Sequence, residues 1–301
     1  MSMIDVGFSF AGGGLKSFSH VAAIQDLEAH QVTIKAVSGT SMGSLLASLY
    51  AVGFRGNALE EKLLEIEQRF KDKRILLKPT LKVLPFIKDR SDGLIDQITF
   101  DGFIKTVFDE LQVTLLSEVE MPLCIVTTEI NTGDIILFSN KPEYFKNVGE
   151  DCRFYEKDIE LSKAIAASCA FPLIFQSVEL DDLRLVDGGV RLNSPGETFN
   201  REKIAKVVSA TTMFADDHSV DYSMVNVAIR SVYIMMFHLE KLSLHNSDVH
   251  INFPVEFKLM FEVGKGPEVI SKAKEYLKEH PIDYSLLEKK NNLFNLWGLL
   301  D

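Results

Sequence analysis

The sequence predicts an α/β fold, a mainly parallel sheet covered by helices on both faces, and three observations carry that prediction. Short β-branched or aromatic runs alternate with segments of helical spacing along most of the 301 residues. A glycine loop, Ala11-Gly12-Gly13-Gly14-Leu15-Lys16-Ser17, lies between the first such run and the first helical segment. A second turn, Gly39-Thr40-Ser41-Met42-Gly43, lies between the second run and the second helical segment.

Taken in order, Ile4 to Phe10 reads as a strand that stops at the glycine loop. Val21, Ala22, Ile24 and Leu27 then fall at helical spacing, which predicts a helix over Ser17 to His30. Val32, Ile34 and Val37 form the second strand, and Gly39 to Gly43 runs directly into a helix-forming segment. Leu59 to Phe70 is amphipathic, and Asp101 to Leu111 reads as another helix. Pro122 to Thr128 and Asp134 to Ser139 are strands joined at Asn131-Thr132-Gly133, a turn signal. Ser162 to Ala170 is a run of small residues ending in Phe171-Pro172, which tight helix packing explains. Leu183 to Val186 is a strand ended by Asp187-Gly188-Gly189. Lys206 to Ala210 and Val249 to Phe253 are further strands, with helices over Met224 to Leu242 and Pro267 to Glu279. No repeat or linker divides the chain, so residues 1–301 are expected to form one domain.

Composition narrows the function. A hydrophobic content of 46% says folded and globular, and a net charge of −11 argues against nucleic acid as a partner. Cys124, Cys152 and Cys169 are odd in number and lack metal spacing, which points to a reducing compartment without a disulfide framework. Met1 to Asp5 has no basic stretch followed by an apolar one, so no signal peptide is expected. The longest apolar run, Met224 to Leu239, is too short to span a membrane and contains Arg230. The expected location is the cytoplasm, with membrane contact only from outside.

Two stretches stand apart. Residues 71–90 carry seven Lys or Arg against two Asp, interleaved with Leu, Ile, Pro and Phe86, in an otherwise acidic protein. Residues 71–100 are therefore a candidate flap. The simplest reading is a solvated loop whose apolar residues pack inward, and contact with an anionic lipid surface is the alternative. Residues 284–301 form an apolar tail expected to pack on the body or on a neighbouring subunit; the oligomeric state stays open.

The turns carry the chemistry. Strand, G-x-S-x-G, helix is the context of a nucleophile elbow, in which Gly39 and Gly43 give room for a sharp turn. Ser41 then projects its hydroxyl at the positive end of the following helix. In the glycine loop, successive backbone N–H groups make a nest for an anion. A Walker loop needs Lys directly after glycine, but Lys16 follows Leu15; a dinucleotide loop needs glycine where Ser17 stands. An oxyanion hole needs only aimed N–H groups. Ser41 still needs a base. A Ser–acid–His order makes His218, His238, His245, His250 and His280 eligible, yet none follows a clear strand in a glycine-bounded loop. Asp187, at a strand end before two glycines, is the other candidate, although Asp-Gly is also a common turn dipeptide.

Gly12 to Ser17, Gly39 to Gly43 and Asp187-Gly188-Gly189, in that order, resemble the patatin-like phospholipase family, as do Ala167-Ser168-Cys169-Ala170-Phe171-Pro172 and Ser91-Asp92-Gly93-Leu94. The resemblance runs from about Asp5 to Gly196. It implies a three-layer α/β/α sandwich and a lipid acyl hydrolase without metal or cofactor, acting on acyl lipids or phospholipids. It also implies Ser41 as nucleophile, Asp187 as base and Gly12, Gly13 and Gly14 as oxyanion hole, supported by Lys16, Gly39, Met42, Gly43, Gly188 and Gly189. Two positions depart from the family pattern. Ser17 replaces the last glycine of the loop, where it is expected to cap the following helix, and Lys16 stands where arginine is common.

Overall fold

The computed structural model describes residues 5–75, 91–212, 223–255 and 263–288. Strands β1 (Val6–Phe10) and β2 (Ile34–Thr40) flank helix α1 (His20–Ala29), and α2 (Met42–Ala51) and α3 (Gly56–Asp72) follow. Next come β3 (Gly93–Ile95), α4 (Gln97–Glu110), β4 (Leu123–Glu129), β5 (Ile135–Ser139), β6 (Cys152–Phe154) and α5 (Leu161–Ser168). The chain continues through β7 (Leu173–Phe175), β8 (Val178–Leu180), β9 (Leu183–Asp187), β10 (Lys206–Thr212), α6 (Met224–Ser243), β11 (Val249–Phe253) and α7 (Gly266–Glu279).

The central sheet runs β11-β10-β1-β2-β4-β5-β6, with β9 on β4 and β8 on β9. The pairings from β11 to β4 and that of β5 with β6 are parallel; β4–β5, β4–β9 and β8–β9 are antiparallel. Long alternating strands with helical crossovers give the parallel part, and the Asn131–Gly133 turn gives the antiparallel hairpin. A separate two-stranded sheet joins β3 and β7.

Each face of the sheet is buried. Phe8, Phe10, Val37, Leu123 and Ile125 pack under the layer of α1 to α5 and α7, while Ala36, Cys124 and Val126 face a smaller cluster with Phe145, Leu192, Phe199 and Ile204. Single-turn helices at Pro142–Tyr144 and Pro195–Thr198 cover that second face, with α6 packed against the second of them. The alternation along β4 is the period-two pattern of a strand buried on both sides. The result is the three-layer α/β/α arrangement.

Of the proposed flap 71–100, the ends are regular structure, the last turn of α3 and then β3 and the start of α4, and residues 76–90 lie outside the described residues. Of the apolar tail 284–301, Tyr284–Leu287 forms a helical turn with Leu287 fully buried, and residues 289–301 lie outside the described residues. Among the described residues no helix is long and apolar enough to cross a membrane.

Candidate active site

The elbow is sharp because its neighbours leave no alternative. Ser41 sits at φ 53°, ψ −132°, a conformation that costs a residue with a side chain on the order of 1–3 kcal/mol. A Cβ on Gly39 would lie 2.7 Å from Ser44 Cα, and one on Gly43 would lie 2.6 Å from Ala11 O, so only glycine fits at either place. The strained peptide is pinned from three sides. Ser41 N–H donates to Ser168 Oγ at 2.9 Å, and Ser168 Oγ donates to Val126 O at 2.7 Å. The Ser44 N–H and hydroxyl donate to Ser41 O at 2.8 and 2.7 Å.

Sheet register brings the carboxylate to the hydroxyl. β2 pairs with β4 as far as Thr40 opposite Val126, and β9 takes over the same edge of β4 with Asp187 opposite Thr127. The end of β2 and the end of β9 therefore meet beside one strand. Ser41 Oγ donates to Asp187 Oδ2 at 2.6 Å, although the two residues are 146 positions apart. Asp187 Oδ1 accepts from Gly189 N–H at 2.8 Å. Gly188 is required because its Cβ would lie 2.7 Å from the Val126 carbonyl carbon. Complete burial pushes the Asp187 carboxyl up to about 7, against the opposing pull of the hydrogen bonds from Ser41 and Gly189.

The glycine loop departs from expectation in two ways. The segment after it is a 3-10 turn, Gly14–Ser19, and α1 starts only at His20. Ser17 is consequently not a helix cap: its hydroxyl donates back to Ala11 O at 3.1 Å and closes the loop on itself. The second departure concerns Gly12. Its N–H donates to Asn193 O at 3.1 Å and is engaged, whereas among the described residues the N–H groups of Gly13 and Gly14 meet no acceptor. Gly12 is needed for closeness instead, since its Cβ would lie 3.0 Å from Ser41 Cβ. Gly14 takes φ 58°, the left-handed turn that aims the start of the helix. Lys16 is buried, with its ammonium 5.7 Å from the centre of the Tyr233 ring.

Ser41 opens on a narrow apolar cleft of about 80 Å³ between α2, α3 and α4. Leu15, Met42, Phe70, Phe100, Phe103 and Phe175 are among the residues that line it. Phe100 packs on Phe175 with ring centres 4.7 Å apart, and Phe70 on Phe103 at 5.4 Å. A hydroxyl bonded to a buried carboxylate, beside unpartnered main-chain N–H groups and an apolar channel, can transfer an acyl group that carries a hydrocarbon chain.

Among the described histidines none hydrogen-bonds Ser41 or Asp187, and His218 lies outside the described residues. Buried His20 packs between Phe10 and Phe253, and burial lowers it to about 3, so it is neutral. The small-residue run read as packing alone does more. Ser168 holds Ser41, and Ala170 O accepts from Asp187 N–H at 2.9 Å, so one short segment braces both residues. Its sequence signal was a serine placed one residue before Cys169 where alanine would pack equally well. Asn193 was also unread, and an amide fixed two residues before Pro195 is its only local trace.

The patatin-like phospholipase family model matches residues 8–199. The chain is 24% identical over 209 residues to "Uncharacterized protein YqhO" of Bacillus subtilis, covering 67% of this chain and 69% of that protein. It is 24% identical over 212 residues to the human "Patatin-like phospholipase domain-containing protein 6", covering 70% of this chain and only 13% of the human protein. Among solved structures, VipD from Legionella pneumophila superposes with a TM-score of 0.44 at 15% identity, over 93% of this chain and 66% of that one.

Proposed function

The chain belongs to the patatin-like phospholipase family, a lipid hydrolase family, and on that premise we propose that it cleaves carboxylic esters of acyl lipids or phospholipids with a Ser41–Asp187 dyad. The observation that carries this is the 2.6 Å hydrogen bond from Ser41 Oγ to a fully buried carboxylate, at the tip of an elbow facing an apolar cleft.

Ser41 Oγ attacks the ester carbonyl carbon while its proton passes to Asp187 Oδ2. The carbonyl oxygen becomes an oxyanion held by the N–H groups of Gly13 and Gly14, with the positive end of α2 beside it. Collapse of the tetrahedral intermediate breaks the bond to the alcohol, which leaves with the proton from Asp187. Water then attacks the acyl-Ser41 ester, giving its proton to Asp187, and the free acid departs as Ser41 regains a proton. A carboxyl poised at about 7 suits a group that both takes and returns a proton near neutral pH. The acyl chain lies in the aromatic cleft.

Peripheral contact with a lipid surface is part of the proposal. Met224, Met235 and Leu242 stand 85%, 58% and 58% exposed along α6, which supports it. The test of the reaction is turnover of a chromogenic acyl ester by wild type, Ser41→Ala and Asp187→Asn. Loss in both variants is expected, and wild-type turnover in both would refute the assignment.

A further inference from the structure

Helix α6 lies beyond the family-matched residues 8–199, yet one of its faces touches the glycine loop, the turn after Asp187 and Asn193. Tyr233, Met236 and Glu240 are spaced i, i+3, i+7, so they share that face. The Tyr233 ring lies under the Lys16 ammonium of the glycine loop. Met236 abuts Gly189, the residue whose N–H holds Asp187. Glu240 Oε2 accepts from Asn193 Nδ2.

Asn193 is the junction. Its backbone oxygen accepts from Gly12 N–H at 3.1 Å, and its side-chain Nδ2 donates to Gly12 O at 3.3 Å. The peptides on both sides of Gly12 are thereby fixed by one residue. Gly12 O belongs to the same peptide as Gly13 N–H, so the bond to Asn193 sets the direction in which that N–H points. Asn193 and Glu240 are 2% and 3% exposed, so their hydrogen bond is made out of bulk water.

We propose that Glu240 is a positioning residue: by holding the Asn193 side chain against Gly12 O, it aims the Gly13 N–H of the oxyanion hole. The role of that N–H rests on the reaction proposed above. The carboxyl needs only to accept from Asn193, which the carbonyl oxygen of a neutral acid can also do. Burial pushes Glu240 up to about 8, opposed by the Asn193 hydrogen bond and by Lys241, which fits a neutral acid at pH 7.

The experiment compares wild type with Glu240→Gln, Glu240→Ala and Asn193→Asp, each checked by thermal melting, with Ser41→Ala as the reference for the reaction. Turnover of a soluble chromogenic ester gives kcat and KM separately, and the rate of fluorophosphonate labelling gives a second measure. Glu240→Ala should lower kcat by roughly tens-fold, less than the 10²–10³ that removal of a whole oxyanion donor causes, with KM within about threefold and labelling slowed in parallel. Glu240→Gln, which keeps the acceptor, should restore kcat to within about threefold of wild type. A folded Glu240→Ala protein with wild-type kcat overturns the proposal. So does a loss that Gln fails to restore, which marks mere packing. If Glu240→Ala does not fold, Asn193→Asp decides: a fall in kcat at constant KM supports the proposal, and unchanged kcat overturns it. Wild-type turnover in Ser41→Ala would instead refute the reaction itself and this proposal with it.

Discussion

Asp187→Asn should make the protein more stable while it abolishes turnover, and the gain should depend on pH. The carboxyl is fully buried, and burial moves it from the ordinary 3.8 to about 7. The unfolded chain ionises Asp187 near 4, the folded protein only near 7, so between those values the unfolded state binds fewer protons. Stability of the wild type therefore falls as pH rises from about 4 to about 7 and then levels. At ~1.36 kcal/mol per decade of proton concentration, the full cost above pH 7 is about 4 kcal/mol. Asparagine keeps an oxygen for Gly189 N–H but no longer accepts from Ser41, which gives back ~1 kcal/mol. Urea unfolding of both proteins should give nearly equal midpoints at pH 4 and an Asp187→Asn advantage of about 3 kcal/mol at pH 8. An advantage that does not change between the two pH values, or a variant less stable at pH 8, would show that no buried charge is held at this position.

Three other outcomes follow from the same geometry. The base must be ionised to accept the Ser41 proton, so kcat/KM should climb about tenfold per pH unit up to about 7 and flatten above it, as a pH–rate profile would register. Gly43→Ala places a methyl 2.6 Å from Ala11 O, and thermal melts should find it destabilised by on the order of 2–4 kcal/mol with turnover lost. Ser168→Ala removes the acceptor of Ser41 N–H and one donor to Val126 O, so it should cost ~1–3 kcal/mol in denaturant titration. The same variant should lower kcat roughly tenfold as the elbow relaxes.

Much of the site was legible because its requirements are steric and local. Gly39, Gly43 and Gly188 each meet main-chain atoms that forbid a Cβ, and such positions leave glycines in the sequence whatever surrounds them. The near-continuous apolar or small residues of β1, β2 and β4 likewise encode a sheet buried on both faces. What stayed hidden depends on which distant segments meet. Nothing near Gly12 announces that its N–H is taken by Asn193, 181 positions away, or that Ser168 grips the Ser41 peptide. The shift of the helix start from Ser17 to His20 follows from the same cause. The glycine loop tightens into a 3-10 turn that the Ser17 hydroxyl closes, a choice set by its neighbours and not by helical spacing. Short strands such as β3, β6 and β8 carry too few residues for a period to appear.

The central claim is that Ser41 is the acyl-accepting nucleophile. The most direct measurement is to treat wild-type protein with a fluorophosphonate, digest it and locate the adduct by mass spectrometry. The adduct is expected on the peptide carrying Ser41 and absent after Ser41→Ala. An unlabelled protein, or a label on any other residue that persists in Ser41→Ala, would contradict the account.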